Sequence, residues 1–371
     1  MPSPVSVGAA LIVRDEASVL RRCLESLAGA VDEIVVVDTG STDPSPEVAE
    51  ELGARVLHRP WDHDFSVARN LGLDHLSADW VLYIDADEYL VDHGAGRMAD
   101  GLLDPDRHVA YRVRMRSHAR YTRYLEYRIW RNRPDIRFRG VIHETTVPDI
   151  WRVAGDEGLL VGDTAICLDH DGYEGDQEAK HRRNLPMLLA AVGQDPDRTY
   201  LWDHIGRIHA ARGDAASAQE AWRHGIELVR KNGVTVPVDS QVYVDMIFSN
   251  ARLETPDADL LAEALTLFPD NPYVLWCGAL DAMARHAFVQ ARDLLDRVVD
   301  LPEDVAADCG LAGDERLTRE WTFNARGVCR YQLGDLAGAA ADFGRAEALA
   351  PDVAEYRARR ALVEARLHPP R

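Results

Sequence analysis

A chain of 371 residues with 46% hydrophobic and 28% charged residues exceeds one ordinary core, and its composition excludes general disorder. Its formal net charge of −20 opposes generic binding to nucleic acid or to an anionic membrane, because both repel a negative protein. No segment approaches the roughly 20 apolar residues of a membrane span, and the N-terminus lacks a secretory signal pattern. We therefore expect a cytoplasmic protein without a membrane span.

The cysteine pattern supports the same compartment. The five cysteines occur singly, without a CxxC pair or an even number that would form a disulfide framework. We expect buried thiols in a reducing environment. These residues are Cys23, Cys167, Cys277, Cys309 and Cys329.

Roughly the first 90 residues alternate strand and helix patterns, which is typical of a parallel α/β sheet. Apolar runs predict strands over residues 5–13, 34–38, 54–58 and 80–85, and helices over residues 16–28, 44–52 and 65–73. Ligands of open α/β sheets bind beyond the carboxyl ends of the strands. Functional side chains are therefore expected where these strands end.

The pattern then changes. Residues 109–116 alternate apolar side chains with arginines, and strand-like runs follow at 124–130 and 158–168, so the sheet is expected to become mixed. Eleven arginines between residues 107 and 139 provide a local basic region that a small anion could use, although most charged strand faces are simply solvated. They are Arg107, Arg112, Arg114, Arg116, Arg120, Arg123, Arg128, Arg131, Arg133, Arg137 and Arg139.

From about residue 195 the chain becomes helical, with small and aromatic residues at the spacing of a tetratricopeptide repeat of about 34 residues. One unit contains Trp202, Ile205, Gly206, His209, Ala218, Trp222 and Gly225, and another contains Phe323, Gly327, Ala339, Phe343, Ala346 and Pro351. An ordinary helical bundle is the alternative. We predict a catalytic domain over residues 1–192 and a repeat domain over residues 193–371.

The strongest candidate site is the Asp85-Ala86-Asp87-Glu88 segment after a buried apolar strand. On an extended backbone, Asp85 and Asp87 would point to one side and share a divalent cation with a diphosphate. Oxygen ligands suit Mg²⁺ or Mn²⁺. The alternative is a solvated strand end without a ligand.

A second candidate site lies in Asp38-Thr39-Gly40-Ser41-Thr42-Asp43, which closes the second strand. A carboxylate there can accept hydrogen bonds from a nucleoside base or ribose, and Gly40 allows close approach of the backbone. Alternatively, these residues cap the following helix, and both roles can hold together. The first strand-turn-helix lacks a GxGxxG sequence, which argues against a dinucleotide cofactor.

Four segments together resemble the family-2 inverting glycosyltransferases of the GT-A fold: ALIVRDEASVLRRCLESL, DEIVVVDTGSTD, WDHDFSVARNLGLDHLSADWVLYIDADE and FRGVIHE. More narrowly, they resemble the bacterial branch that carries a tetratricopeptide tail and includes peptide S-glycosyltransferases. The resemblance implies a Rossmann-like α/β domain with a mixed central sheet, followed by an all-α repeat domain.

The resemblance also implies roles for individual residues. The nucleotide-sugar donor, most readily a UDP-sugar, would be bound by Arg14, Asp38, Asp43, Arg69, Asn70, Asp85 and Ala86. The metal, Mn²⁺ or Mg²⁺, would be held by Asp85, Asp87 and His170. His143 and Glu144 match an IHE element on the acceptor side, and both are predicted catalytic residues.

Glu144 is the expected general base, since inversion requires a group that takes a proton from the acceptor. The alternative is that Glu144 only forms an ion pair with an arginine.

Three functions remain open from the sequence. The chain could glycosylate a peptide or protein, with the repeats gripping the acceptor. It could modify a glycan, a lipid-linked or a small natural-product acceptor, with the repeats forming a homodimer. It could also be a noncatalytic adaptor that retains the fold, although the intact acidic motif argues against this.

Overall fold

A computed structural model describes residues 5–92, 96–116, 121–170, 177–234, 236–302 and 313–368. The chain divides into two compact units, one formed by residues 1–119 and 123–195, the other by residues 120–122 and 196–371. The assignment of catalysis to residues 1–192 and of acceptor binding to residues 193–371 remains a proposal. Across the described ranges, every helix is too short or too polar to cross a bilayer.

The first unit is built on one eight-stranded mixed sheet. Its strands are β1 (Val7–Val13), β2 (Glu33–Asp38), β3 (Arg55–His58), β4 (Trp80–Tyr83), β5 (Glu88–Asp92), β6 (His108–Arg116), β7 (Tyr124–Arg131) and β8 (Leu160–His170). They are ordered β3-β2-β1-β4-β7-β6-β8-β5. The first four are parallel, β7 is antiparallel to both β4 and β6, and β8 runs parallel to β6 but antiparallel to β5. This mixed sheet confirms the predicted fold class of the N-terminal part.

Helices cover both faces of the parallel strands, which explains why these strands are apolar on both sides. The helices described in the first unit are α1 (Ala17–Leu27), α2 (Ser45–Glu51), α3 (Phe65–Asp74), α4 (Val147–Glu157) and α5 (Gln177–Gln194), and the two faces are represented by α1 and α3. On one face Leu11 of β1 packs in a core with Leu24 of α1, and on the other Ala10 packs in a core with Leu73 of α3. Successive side chains of β1 enter opposite cores because side chains in a strand alternate between the two faces of the sheet.

The largest departure from the expected elements occurs after β4. The predicted strand extended to Asp85, but β4 ends at Tyr83 and the chain turns before entering β5. The Asp85 N–H donates to Glu88 Oε2 at 2.8 Å, and the Glu88 N–H donates to the Asp85 carbonyl at 3.1 Å. These bonds close a turn, so the extended geometry expected for residues 85–87 was wrong.

A β-bulge interrupts the pairing of β6 with β7. Tyr111 pairs with Ile129 and Arg112 pairs with Tyr127, so Arg128 is the extra residue. As a result, Tyr127 and Ile129 pack in opposite cores although they are two residues apart. Bulges of this kind redirect a side chain and are frequent beside active sites.

The described part of the second unit consists mainly of helices, most of which follow one another after three to seven residues. They are α6 (Thr199–Ala211), α7 (Ala215–Asn232), α8 (Ser240–Arg252), α9 (Ala258–Leu267), α10 (Pro272–Ala284), α11 (Phe288–Asp300), α12 (Glu320–Gln332), α13 (Leu336–Leu349) and α14 (Ala354–Leu367). A Cβ on Gly206 would lie 2.4 Å from Nε1 of Trp222, and one on Gly327 would lie 2.7 Å from the Phe343 ring. Two predicted small-residue positions therefore do allow paired helices to approach closely.

Candidate active site

Asp85 lies in the turn after β4, at the carboxyl edge of the parallel strands. Its Oδ1 accepts a hydrogen bond from Arg69 Nη2 at 2.8 Å, and its Oδ2 accepts one from the Tyr83 hydroxyl at 3.2 Å. Burial alone would raise the pKa of Asp85, but Arg69 and then Arg128 outweigh it and lower that pKa below its usual value. Because one third of the side chain remains exposed, this ionised carboxylate can still be reached from solvent.

Asp87 contacts the histidine that the sequence singled out. His170 Nε2 lies 2.7 Å from Asp87 Oδ2, because β5 and β8 pair antiparallel and align Glu88 with His170. Both side chains are about one quarter exposed. Asp85 and Asp87 thus engage different partners, and no cluster of three or more potential metal ligands occurs within the described ranges. Carboxylate oxygens and an imidazole nitrogen nevertheless form a donor set that suits Mn²⁺ or Mg²⁺.

A buried ion pair stabilises the acidic turn, which is formed by residues 85–88. Arg128 donates through two nitrogens to Glu88, at 2.8 and 3.0 Å, and through Nε to Glu126 at 2.8 Å. Burial raises the pKa of Glu88, while the charge of Arg128 opposes that rise. Since Glu88 also accepts the Asp85 N–H, the pair holds the turn in place. The sequence did not distinguish Arg128 from the ten other arginines between residues 107 and 139. Its position depends on the bulge in β7, which the sequence pattern does not reveal.

Arg69 joins the acidic turn to the predicted base. Its Nε donates to Glu144 Oε1, while its Nη2 donates to Asp85. Both Arg69 and Glu144 are buried, with side chains 9% and 7% exposed. Glu144 therefore forms the ion pair that was the alternative to its catalytic role, although with Arg69 rather than with an arginine from residues 107–139.

The Tyr83 ring lies against both buried guanidinium groups of this network. It lies 4.3 Å from the Arg69 guanidinium and 4.2 Å from that of Arg128. Stacking of a cation on an aromatic face stabilises both partners when they are desolvated. Tyr83 was not predicted as a site residue, since it reads as one of the apolar positions of a strand.

The predicted site residues Asn70 and His143 shape the loop that carries Glu144. The Asn70 amide exchanges two hydrogen bonds with the Phe138 backbone, donating to its carbonyl at 3.0 Å and accepting its N–H at 2.9 Å. His143 adopts a left-handed backbone with φ of 50°, which is uncommon outside glycine. Both residues therefore fix the path of the segment that carries Glu144. Ala86, predicted to contact the donor, is buried in the core beneath the turn.

The turn after β2 is organised by Asp38. Its carboxylate accepts hydrogen bonds from the N–H groups of Ser41 at 3.0 Å and Gly40 at 3.3 Å, and His58 Nδ1 lies 3.3 Å away. Burial alone would raise its pKa, but these hydrogen bonds lower it below the usual value. Asp38 is thus an ionised group at a strand end, and its contact with a nucleoside stays a prediction.

Asp43 connects the start of α2 to the start of α1. It accepts hydrogen bonds from the N–H groups of Ser45 and Ala17, each at 3.0 Å, so it binds the first residue of both helices, although their N-cap positions are Pro44 and Glu16. Asp15, which sequence reasoning missed, accepts the Thr42 N–H at 2.6 Å from a left-handed backbone.

The predicted Arg14 is more exposed than these turn residues. About half of its side chain reaches solvent, and its Nε lies 3.9 Å from Asp15 Oδ2. Arg14 is therefore accessible to a donor at the end of β1.

Most arginines between residues 107 and 139 are held by local partners. Acidic side chains or backbone carbonyls bind Arg112, Arg116, Arg128, Arg131, Arg133, Arg137 and Arg139. Arg120 lies outside the described residues. The basic region expected from the sequence is therefore largely neutralised within the fold.

Comparison with known families then identifies the domain. Residues 9–153 match glycosyl transferase family 2. The first unit contains a family 2 glycosyltransferase domain. This match covers β1 from residue 9 onward, β2 to β4, the acidic turn and the Arg69–Glu144 pair, and it confirms the family predicted from the sequence motifs.

Several known proteins are similar to parts of this chain. A TPR repeat-containing protein of Synechococcus elongatus is 33% identical over 261 residues, covering 68% of this chain and 63% of the relative. Glycosyltransferase SunS of Bacillus subtilis is 24% identical over 205 residues, covering 53% of this chain and 47% of SunS. The chain therefore spans less than two thirds of the length of these relatives. Glucosyl-3-phosphoglycerate synthase of Mycobacterium tuberculosis is 16% identical, with a TM-score of 0.37 over 51% of this chain and 79% of its own.

Proposed function

We propose that this protein transfers a sugar from a nucleotide-sugar donor to an acceptor, with inversion at the sugar carbon. The observation that carries the proposal is a single contact network within the family 2 domain, in which Arg69 links Asp85 to Glu144. The Asp87–His170 contact lies at the same turn. Acidic, basic and imidazole groups thus meet where ligands of α/β sheets bind.

The proposed donor is a UDP-sugar and the proposed cofactor is Mn²⁺ or Mg²⁺. Asp85, Asp87 and His170 would hold the cation, and Arg14 and Asp38 lie at the strand ends where the nucleoside would bind. When bound, the cation would supply positive charge beside the diphosphate leaving group.

Glu144 is the proposed base. A carboxylate that is almost fully buried and held by one guanidinium has a fixed orientation, which general-base catalysis requires. The proton of the acceptor would pass to Glu144 as the acceptor attacks the sugar carbon from the face opposite the leaving group.

The proposed acceptor is a peptide or protein side chain. Stacked helical repeats form extended surfaces that commonly bind polypeptides, and this supports the proposal by analogy. The repeats could also form a homodimer. A cytoplasmic location is proposed because the described cysteines Cys23, Cys167, Cys277 and Cys329 are buried and form no disulfide with one another, while Cys309 lies outside the described residues.

The test uses the full chain with UDP-, GDP- and TDP-sugars, in Mn²⁺ or in EDTA. Thermal shift reports donor binding, because a ligand of the folded state raises Tm, and release of the nucleoside diphosphate reports turnover. We expect a donor that binds only with metal, and a loss of turnover on the order of 100-fold in Asp87→Asn.

The matched control is Asp163→Asn, the same substitution in the same unit, where an exposed carboxylate pairs with Arg112. It should keep wild-type turnover. Inertness toward every donor would contradict the proposal and support the noncatalytic adaptor, whereas turnover unaffected by EDTA would exclude the metal.

A further inference from the structure

Arg69 occupies an unusual position for an arginine in an active site. Its guanidinium lies between two carboxylates that are distant in sequence, with Nη2 2.8 Å from Asp85 Oδ1 and Nε bonded to Glu144 Oε1. The rings of Tyr83 and Phe138 lie 4.3 and 5.6 Å from its central carbon. The group is therefore enclosed, and two of its three nitrogens are committed to protein carboxylates.

Such an environment is poorly suited to a contact with the donor. An arginine that binds a diphosphate presents the planar fork of its guanidinium to the phosphate oxygens. In Arg69, the guanidinium nitrogens already donate hydrogen bonds to Asp85 and to Glu144, and only 9% of the side chain is exposed. Arg14, which is about half exposed, is accessible to an incoming anion in a way that Arg69 is not.

We propose that Arg69 is a positioning residue that couples cation binding at Asp85 to the orientation of Glu144. This inference rests on the proposed function, in which Glu144 accepts a proton. Arg69 and a divalent cation are both attracted to the Asp85 carboxylate. Binding of either one to Asp85 therefore weakens the binding of the other. When a cation binds, the charge of Arg69 is directed more fully toward Glu144, which stays fixed.

Loss of the Arg69 charge should change Mn²⁺ affinity and turnover in opposite directions. Loss of the charge at residue 69 removes a competitor for Asp85, so Mn²⁺ should bind more tightly. The same loss leaves Glu144 without its fixed partner, so turnover should fall. A residue that contacts the donor or only maintains the fold would not produce tighter metal binding together with slower turnover.

The test compares R69M, R69K, E144Q and the double variant R69M/E144Q in the full chain. The dissociation constant for Mn²⁺ alone is measured by electron paramagnetic resonance, and that for UDP by calorimetry at saturating Mn²⁺. In R69M we expect Mn²⁺ to bind about 10-fold more tightly, within the usual range of coupled sites, and turnover to fall about 100-fold. UDP affinity should change less than about 2-fold, since Arg69 makes no direct contact with it.

The double variant identifies the route of the effect. If Arg69 acts through Glu144, R69M/E144Q should lose no more turnover than E144Q alone. R69K should keep Mn²⁺ affinity near wild type because it retains the charge, yet lose turnover because an ammonium cannot bridge both carboxylates as a guanidinium does. R69K also keeps the test decisive if R69M fails to fold.

The matched control is R21M. Arg21 also bridges two carboxylates, lying 2.7 Å from Glu51 and 3.9 Å from Glu25, but on the surface of the same unit. It should leave all three measurements unchanged.

Two results would overturn the proposal: Mn²⁺ or UDP binding about 10-fold weaker in R69M, or turnover losses that multiply in the double variant. An inactive wild type would instead refute the proposed function and the Glu144 step. The Mn²⁺ measurement would then still decide whether Arg69 competes at Asp85.

Discussion

Removal of Arg128 should destabilise the first unit far more than an ordinary loss of surface charge. The Arg128 and Glu88 side chains are 5% and 6% exposed, and two hydrogen bonds of 2.8 and 3.0 Å join them. Arg128→Met would leave the Glu88 charge buried without its partner. Breaking a buried pair from one side costs about 3–5 kcal/mol, whereas an exposed pair contributes about 0–1 kcal/mol.

Urea unfolding, followed by tryptophan fluorescence, gives the free energy of unfolding for R128M, E88Q and E88Q/R128M. The double variant should recover part of the loss, because the uncompensated charge is gone. The penalty in R128M should be larger at pH 8 than at pH 5, since burial raises the pKa of Glu88 and protonation at lower pH neutralises it.

The matched control for this experiment is Arg133→Met. Arg133 binds Asp135 at 2.9 Å and Glu157 at 2.6 Å in the same unit, but with its partners about 40% exposed. Its loss should cost less than about 1 kcal/mol. A cost for R128M as small as that of R133M, or a double variant that shows the full sum of both single losses, would refute the reasoning.

Two further predictions concern the second unit. Burial raises the pKa of Asp203 to about 8 although Arg207 opposes the rise, so stability should fall by up to about 1.4 kcal/mol per pH unit between pH 4 and 8 as the carboxyl must ionise. Asp203→Asn should flatten this slope in thermal melts at pH 5 and 8, and equal slopes would contradict the assignment. Gly327→Ala should cost about 1–3 kcal/mol, because its Cβ would lie 2.7 Å from the Phe343 ring. Gly344→Ala, whose Cβ would lie 3.6 Å from Arg360, is the control; a similar cost in both would show that helix approach is not the cause.

Local patterns were sufficient for most of the regular elements and for the family. The apolar runs that became β1 and β2 and the stripe of α1 follow periods of two and 3.6 residues, and burial of these faces requires those structures. In the same way, the repeated small and aromatic positions indicated where helices approach, as Gly206 and Trp222 do. The acidic motif and Glu144 were also recognisable, because they follow these elements at the spacing of a known family.

The relations between the site residues arose only from long-range folding. The contact of Asp87 with His170 spans 83 positions and that of Arg69 with Glu144 spans 75, and no local period encodes such pairs. The bulge that directs Arg128 likewise depends on how β6 and β7 pair. Sequence periodicity records which face of an element is buried, whereas the partner of a buried charge depends on segments that meet after the chain has folded.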